Sequence, residues 1–284
     1  GLWGAGAVGV IGGAPKCGKT WLALELAVAV ASGKPCLGRY AVPQPGPSLV
    51  YAAEDAPEQV RDRVENLAKA RATDFAALDV RLIVEPQLRI DRPDDIARLR
   101  ATLENHRPKL LVLDPYVRLQ RVDENKATEV AAVLSTLRHL SRACSVAIAL
   151  VHHARKNSGD DLGQGLRGSS DFHAWGDSNL YVRRRGDGII LSIEHRAAVS
   201  PPAVSLALVS EEDGPVRLEL RAAPAEVPLA DRIVRCLAAG PRRLEDLRQE
   251  LSVRKVRLLE ELHGLETAGR VVKSAQGWIA ANGH

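Results

Sequence analysis

The stretch Gly13-Ala14-Pro15-Lys16-Cys17-Gly18-Lys19-Thr20 decides the fold. It matches the spacing G-x-x-x-x-G-K-[ST], which builds a phosphate-binding loop when a strand precedes it and a helix follows. Both are expected here. Residues 7–12 (AVGVIG) read as a short buried strand, and Lys19 to Ser32 read as a buried helix that stops at Gly33. The chemistry explains the spacing. Glycines let backbone N–H groups curl around a phosphate without a Cβ in the way. The helix start adds its dipole and its unpaired donors. Lys19 offers a charge to the β- and γ-phosphates, and Thr20 offers a hydroxyl to Mg²⁺. All eight residues are candidate ATP-binding residues.

Working outward, further apolar runs lie at 48–53 (SLVYAA), 80–84 (VRLIV), 110–114 (LLVLD) and 146–153 (VAIALVHH). Periodic charged stretches at 57–71, 92–106 and 126–143 read as helices between them. Strands alternating with helices predict an α/β fold with a mainly parallel sheet flanked by helices. Three later runs, 179–184, 188–195 and 203–209, have no helix between them and read as an antiparallel extension. Residues 34–47 read as loop, and residues 154–170 as a polar, glycine-rich, mobile loop.

The second metal-side group is expected at Asp114, delivered by the buried run Leu110 to Leu113. Pro115 follows it, so the carboxylate that activates water must come from elsewhere. Glu54, at the end of the second strand, is the candidate general base, with Asp55 as the neighbouring alternative. His152 and His153 end the next strand; either places a polar group where the γ-phosphate is sensed.

The chain has 284 residues, 45% hydrophobic and 26% charged, with a net charge of +4. That composition excludes a mainly disordered or collagen-like chain, and the charge alone assigns no nucleic-acid partner. Cys17, Cys36, Cys144 and Cys236 form no C-x-x-C pair and read as scattered reduced thiols. The apolar run Trp21 to Ala31 is too short for a bilayer, and no signal peptide is seen. A cytoplasmic protein without a membrane partner is expected. The missing initiator Met points to a fragment or trimmed chain.

The composition shifts near residue 222. The expected division is an ATPase domain at 1–221, a linker at 222–228 (AAPAEVP) and a small domain at 229–284. The last region carries helical patterns at 229–239, 243–251 and 253–268, then a hairpin at 270–280.

The set GGAPKCGKT (12–20), VYAAED (50–55), LLVLDPY (110–116), VHHARK (151–156) and LRGSSDFHAWGDSNLYVRR (166–184) resembles the RecA-like P-loop NTPase fold. Within it, the pattern is most similar to the RepA-like plasmid replicative helicases and the wider group of RepA-like AAA-family ATPases. The resemblance spans about residues 2–210. It implies a homo-hexameric ring that hydrolyses ATP with Mg²⁺ between subunits and acts on single-stranded DNA. It also implies an arginine reaching into a neighbour's site. Arg196 stands in that place, although Glu194 replaces the basic residue usual two positions earlier; Arg183, Arg184 and Arg185 are rivals. Loop 154–170, with Arg155, Lys156 and Arg167, suits the channel-facing DNA contact, although Asp160 and Asp161 oppose an anion.

The C-terminal region resembles a winged helix. From 228 to 284 there are 10 basic and 7 acidic residues, a net of +3. Ser252 is placed to cap the third helix, whose first turns carry Arg254, Lys255 and Arg257 toward a duplex major groove, with Arg270 and Lys273 on the wing. The same module also serves for partner docking or subunit packing. The leading reading is therefore an ATP-driven DNA motor. An ATP-gated duplex-binding regulator or loader is the alternative, and a filament-forming recombination or repair ATPase is the third.

Overall fold

The computed structural model describes residues 1–84, 87–121, 126–153, 170–210, 214–221, 228–251, 253, 255–274 and 276–281. Two compact units are present, Gly1–Ala222 and Ala223–His284. Arg155, Lys156, Arg167, Ser252 and Arg254 lie outside the described residues, as do residues 222–227 of the expected linker.

In the first unit the strands β1 (Val8–Gly13), β2 (Ser48–Ala52), β3 (Val80–Ile83), β4 (Leu110–Asp114) and β5 (Ala147–His153) alternate with helices α1 (Lys19–Ser32), α2 (Pro57–Ala70), α3 (Pro93–His106) and α4 (Ala127–Cys144). A short helix α5 (Ser170–Trp175) and four strands follow, β6 (Ser178–Arg185), β7 (Gly188–His195), β8 (Val204–Val209) and β9 (Arg217–Arg221). All nine strands form one sheet in the order β3-β2-β4-β5-β1-β6-β7-β8-β9. Pairing is parallel from β3 through β6. It is antiparallel from β6 to β9. This is the α/β architecture the sequence predicts, with the antiparallel extension in place.

The sheet separates two cores, and the strand period of two sorts the residues between them. Ile11, Val50, Val112, Ala149 and Val151 pack on one face with α1 and α2. Val10, Tyr51, Leu111, Leu113 and Leu150 pack on the other with α3, α4 and α5. Strands buried on both faces need continuous apolar runs, and each buried Leu, Ile or Val side chain adds about 1.5–3 kcal/mol. Helix α1 is apolar on nearly every side because it is buried along most of its length. Its one internal charge, Glu25, is met inside: the Leu37 N–H donates to it at 2.6 Å, and Arg71 at the end of α2 pairs with it. A buried carboxylate is tolerable only when so paired.

Two elements have no counterpart in the sequence reading. α5 buries Phe172 and Trp175, and β9 adds a ninth strand through Leu218 and Leu220. Strand β6 also lies unusually close to β1. A Cβ at Gly9 would stand 1.7 Å from the Ser178 carbonyl oxygen, and one at Gly13 would stand 2.2 Å from the Val182 oxygen. Only glycine admits that approach.

The second unit contains α6 (Leu229–Ala238), α7 (Leu244–Leu251), α8 (Lys255–Thr267) and an antiparallel hairpin of β10 (Val271–Ser274) and β11 (Gly277–Ala280). Ile233, Leu237, Leu247, Leu258, Leu262 and Trp278 form its core. Among the described residues, no helix is long and apolar enough to cross a membrane.

Candidate nucleotide site

The loop between β1 and α1 is laid out for an anion. Lys16 holds a left-handed conformation (φ 61°), and Gly18 caps α1 in the same region (φ 94°). No acidic residue occupies the first turn of α1. The helix start therefore presents its partial positive charge and free N–H groups without an internal counter-charge.

Lys19 is only 5% exposed, and its ammonium donates to the Ala14 carbonyl at 2.7 Å. Burial lowers the pKa of its ammonium, opposed by the nearby Cys17, Asp114 and Glu54. A buried cation satisfied by a backbone oxygen of the loop itself fits a site built for phosphate oxygens. Cys17 is buried beside it. Desolvation pushes its thiol up, partly offset by Lys19 and Arg184, so it is an inert packing residue.

Asp114 ends β4 on the sheet face that carries α1, the same face as Leu110 and Val112. Its carboxylate accepts the Thr20 hydroxyl at 2.7 Å. Strand parity and the helix start thus bring hydroxyl and carboxylate together across 94 residues of sequence. That pair fits an octahedral Mg²⁺, which keeps waters and takes one or two protein oxygens beside the nucleotide phosphates.

Burial pushes the Asp114 carboxyl up to about 6. The folded value lies above the unfolded one, so the ionised group destabilises the fold as pH rises through the window from about 4 to 6. At pH 7 this costs on the order of 3 kcal/mol. Asp114→Asn keeps the acceptor for Thr20 and removes the charge. Without Mg²⁺ it raises Tm at pH 7 by roughly 5–10 °C, and the gain vanishes near pH 4. Thermal denaturation at the two pH values checks this; a variant no more stable than wild type at pH 7 contradicts it.

Glu54 follows β2, whose neighbour in the sheet is β4, with Ala52 opposite Asp114. The Ala53 N–H donates to the Asp114 carbonyl at 2.8 Å, which fixes the chain just before Glu54. The Glu54 carboxylate is half-exposed and accepts from Arg118 Nε at 3.1 Å. Asp55 is held differently: Arg63 of α2 grips both its oxygens at 2.5 and 3.2 Å and lies 5.7 Å from the centre of the Trp21 ring on α1.

The two histidines part company by strand parity. His153 stands opposite Gly13 of the phosphate loop, on the face of Val151 and α1. His152 is buried on the other face. Its ring stacks on Phe172 at 4.2 Å and meets Tyr116 edge-on at 5.5 Å.

Arg196 lies just beyond β7. Because β6 runs parallel to β1 and His195 pairs with Ser178 at the start of β6, this is the end of the sheet away from the phosphate loop. Its guanidinium contacts Asp177 at 3.3 Å and donates to the Ala174 carbonyl. Arg138 of α4 shares Asp177 at 3.0 Å. Glu194 contacts His173 at 3.3 Å. Arg183, Arg184 and Arg185 lie at the opposite end of the hairpin, and the Arg184 charge is felt at Cys17. Lys255 and Arg257 are exposed on the first turn of α8.

The sequence reading does not find Arg118, Arg63, Tyr116 or Phe172. Their roles arise from partners 64, 8, 36 and 20 positions away, as Glu54, Asp55 and His152 show. The Arg63–Asp55 pair alone was within reach of the sequence, as an acid and a base on consecutive turns at the start of α2.

Known structures share this fold at low identity. A DnaB-like replicative helicase, described with its interactions with primase, aligns with a TM-score of 0.55 at 14% identity, over 74% of this chain and 57% of that one. The RadB recombinase aligns with a TM-score of 0.53 at 16% identity, over 73% of this chain and 89% of that one. A solved helicase-sized ATPase domain aligns at 0.54 with 15% identity, over 72% of this chain and 81% of its own. No curated protein matches the chain. The family model described as "AAA domain" matches residues 1–159, the part holding the phosphate loop, Glu54, Asp114 and both histidines. That span is more than half of the sequence, and the chain belongs to this AAA-domain family.

Proposed function

We propose that the chain is an ATP-hydrolysing, DNA-dependent motor of the RepA-like type, working as a homo-hexameric ring on single-stranded DNA. One observation carries the reading. Lys19, Thr20 and Asp114 converge at the phosphate loop, and Glu54 leaves the strand next to Asp114. The likeness in fold to a DnaB-like replicative helicase supports the motor.

Each residue has a part. Gly13 to Thr20 wrap the phosphates, and Lys19 turns from the Ala14 carbonyl to the β- and γ-oxygens. Thr20 and Asp114 hold Mg²⁺, which, when bound, neutralises charge developing on the transferred phosphoryl group. Glu54 orients and deprotonates the attacking water. His153, opposite Gly13, reports the γ-phosphate. Arg196 serves the site of a neighbouring copy, because it lies at the far end of the sheet from its own loop. Arg155, Lys156 and Arg167 meet the single strand. The second unit acts as a winged helix in which Arg254, Lys255 and Arg257 meet duplex phosphates.

Steady-state ATP hydrolysis with and without single- and double-stranded DNA tests this, with Lys19→Ala as the blank. Single strands raise turnover several-fold in a translocating ring. Turnover indifferent to single strands, with tight duplex binding, selects instead the ATP-gated regulator or loader.

A further inference from the structure

Two neighbouring carboxylates leave the end of β2, and different arginines meet them. Asp55 is gripped through both oxygens by Arg63 and sits a quarter exposed. Glu54 is held through Oε1 by Arg118 Nε at 3.1 Å. Arg118 is anchored where the site needs it. It closes the short 3-10 turn Tyr116–Arg118 that follows Asp114, and its own N–H donates to the Pro115 carbonyl at 3.1 Å. The next strand over fixes the other partner, since Ala53 is bonded to the Asp114 carbonyl. The two side chains therefore project from adjacent strand ends whose backbones are tied together.

The geometry points to Arg118 as a positioning residue for hydrolysis, one that fixes the Glu54 carboxylate by Oε1 and leaves Oε2 for the attacking water. This rests on Glu54 being the general base. A half-exposed glutamate otherwise samples several rotamers, and a base works only within hydrogen-bond reach of its proton. A cation on one oxygen restricts that freedom, and small misplacements of a reacting group cost large factors in rate. An exposed ion pair adds little to stability, so the fold does not need it.

A double-mutant cycle tests the assignment, using kcat and KM for ATP together with single-turnover rates for the slow variants. Arg118→Ala lowers kcat about tenfold with KM for ATP and Tm unchanged, and Arg118→Lys recovers part of the loss. In the Glu54→Gln background, Arg118→Ala costs nothing further. An unchanged or higher kcat in Arg118→Ala overturns the proposal. So does the same tenfold loss in the Glu54→Gln background, or an effect confined to KM. If Glu54→Gln alone hydrolyses at the wild-type rate, the general-base reading itself has failed and the proposal goes with it.

Discussion

Lys19→Ala abolishes ATP turnover, lowering it by about 10³-fold or more. The ammonium is buried and free of a tight carboxylate clamp; it donates 2.7 Å to the Ala14 oxygen of the loop it will serve. Exchanging that carbonyl for phosphate oxygens costs little, because the charge is already desolvated in its pocket. Alanine at this position leaves the loop backbone intact and removes the point charge. Both nucleotide affinity and the charge stabilisation in the transition state fall. Removing a buried charge does not weaken the fold, since desolvation already opposes the ammonium form. Tm therefore stays at or above the wild-type value, which separates lost chemistry from lost structure. Phosphate release and Tm on the same preparation check both halves. Turnover near the wild-type rate would remove the loop from the active site.

Glu54→Gln retains ATP binding and slows hydrolysis by about 10²–10⁴-fold. Glutamine keeps the length of the side chain and an oxygen for Arg118, and loses only the basic carboxylate. Nucleotide binding, carried by the loop and Asp114, is untouched. A fluorescent ATP analogue reads binding, and single-turnover phosphate release reads chemistry. Normal hydrolysis turns attention to Asp55, but the two-pronged grip of Arg63 holds that carboxylate away from such work. A fast variant therefore puts the base on some other residue.

Much of this was legible because the relevant signals are local. The phosphate loop is eight consecutive residues, and the strands on either side of the sheet centre are unbroken apolar runs. Helix and strand ends fell within a residue or two of their expected places, as at Leu110–Asp114 and Gly188–His195. The misses were weak signals. RLELR offers only Leu218 and Leu220 inside a charged frame, and β9 forms because β8 presents an edge. SDFHAW is less than two turns long, and α5 exists because Phe172 has the His152 and Tyr116 rings to pack on. The choice between His152 and His153 depended on which face of β5 each occupies, and parity cannot be counted until the strand's neighbours are known. Arg118 was invisible because its partner lies 64 residues earlier.

The β6–β7 hairpin behaves as a ruler. Each arm has eight residues, about 25 Å at the usual strand rise. Gly13 presses against one end of it, and Arg196 stands beyond the other. A single copy therefore keeps its lysine and this arginine permanently out of reach of a common phosphate. Any complex that uses both must count junctions rather than molecules. Two copies make one complete site, an open row is always one site short, and only closure brings the tally level with the number of chains.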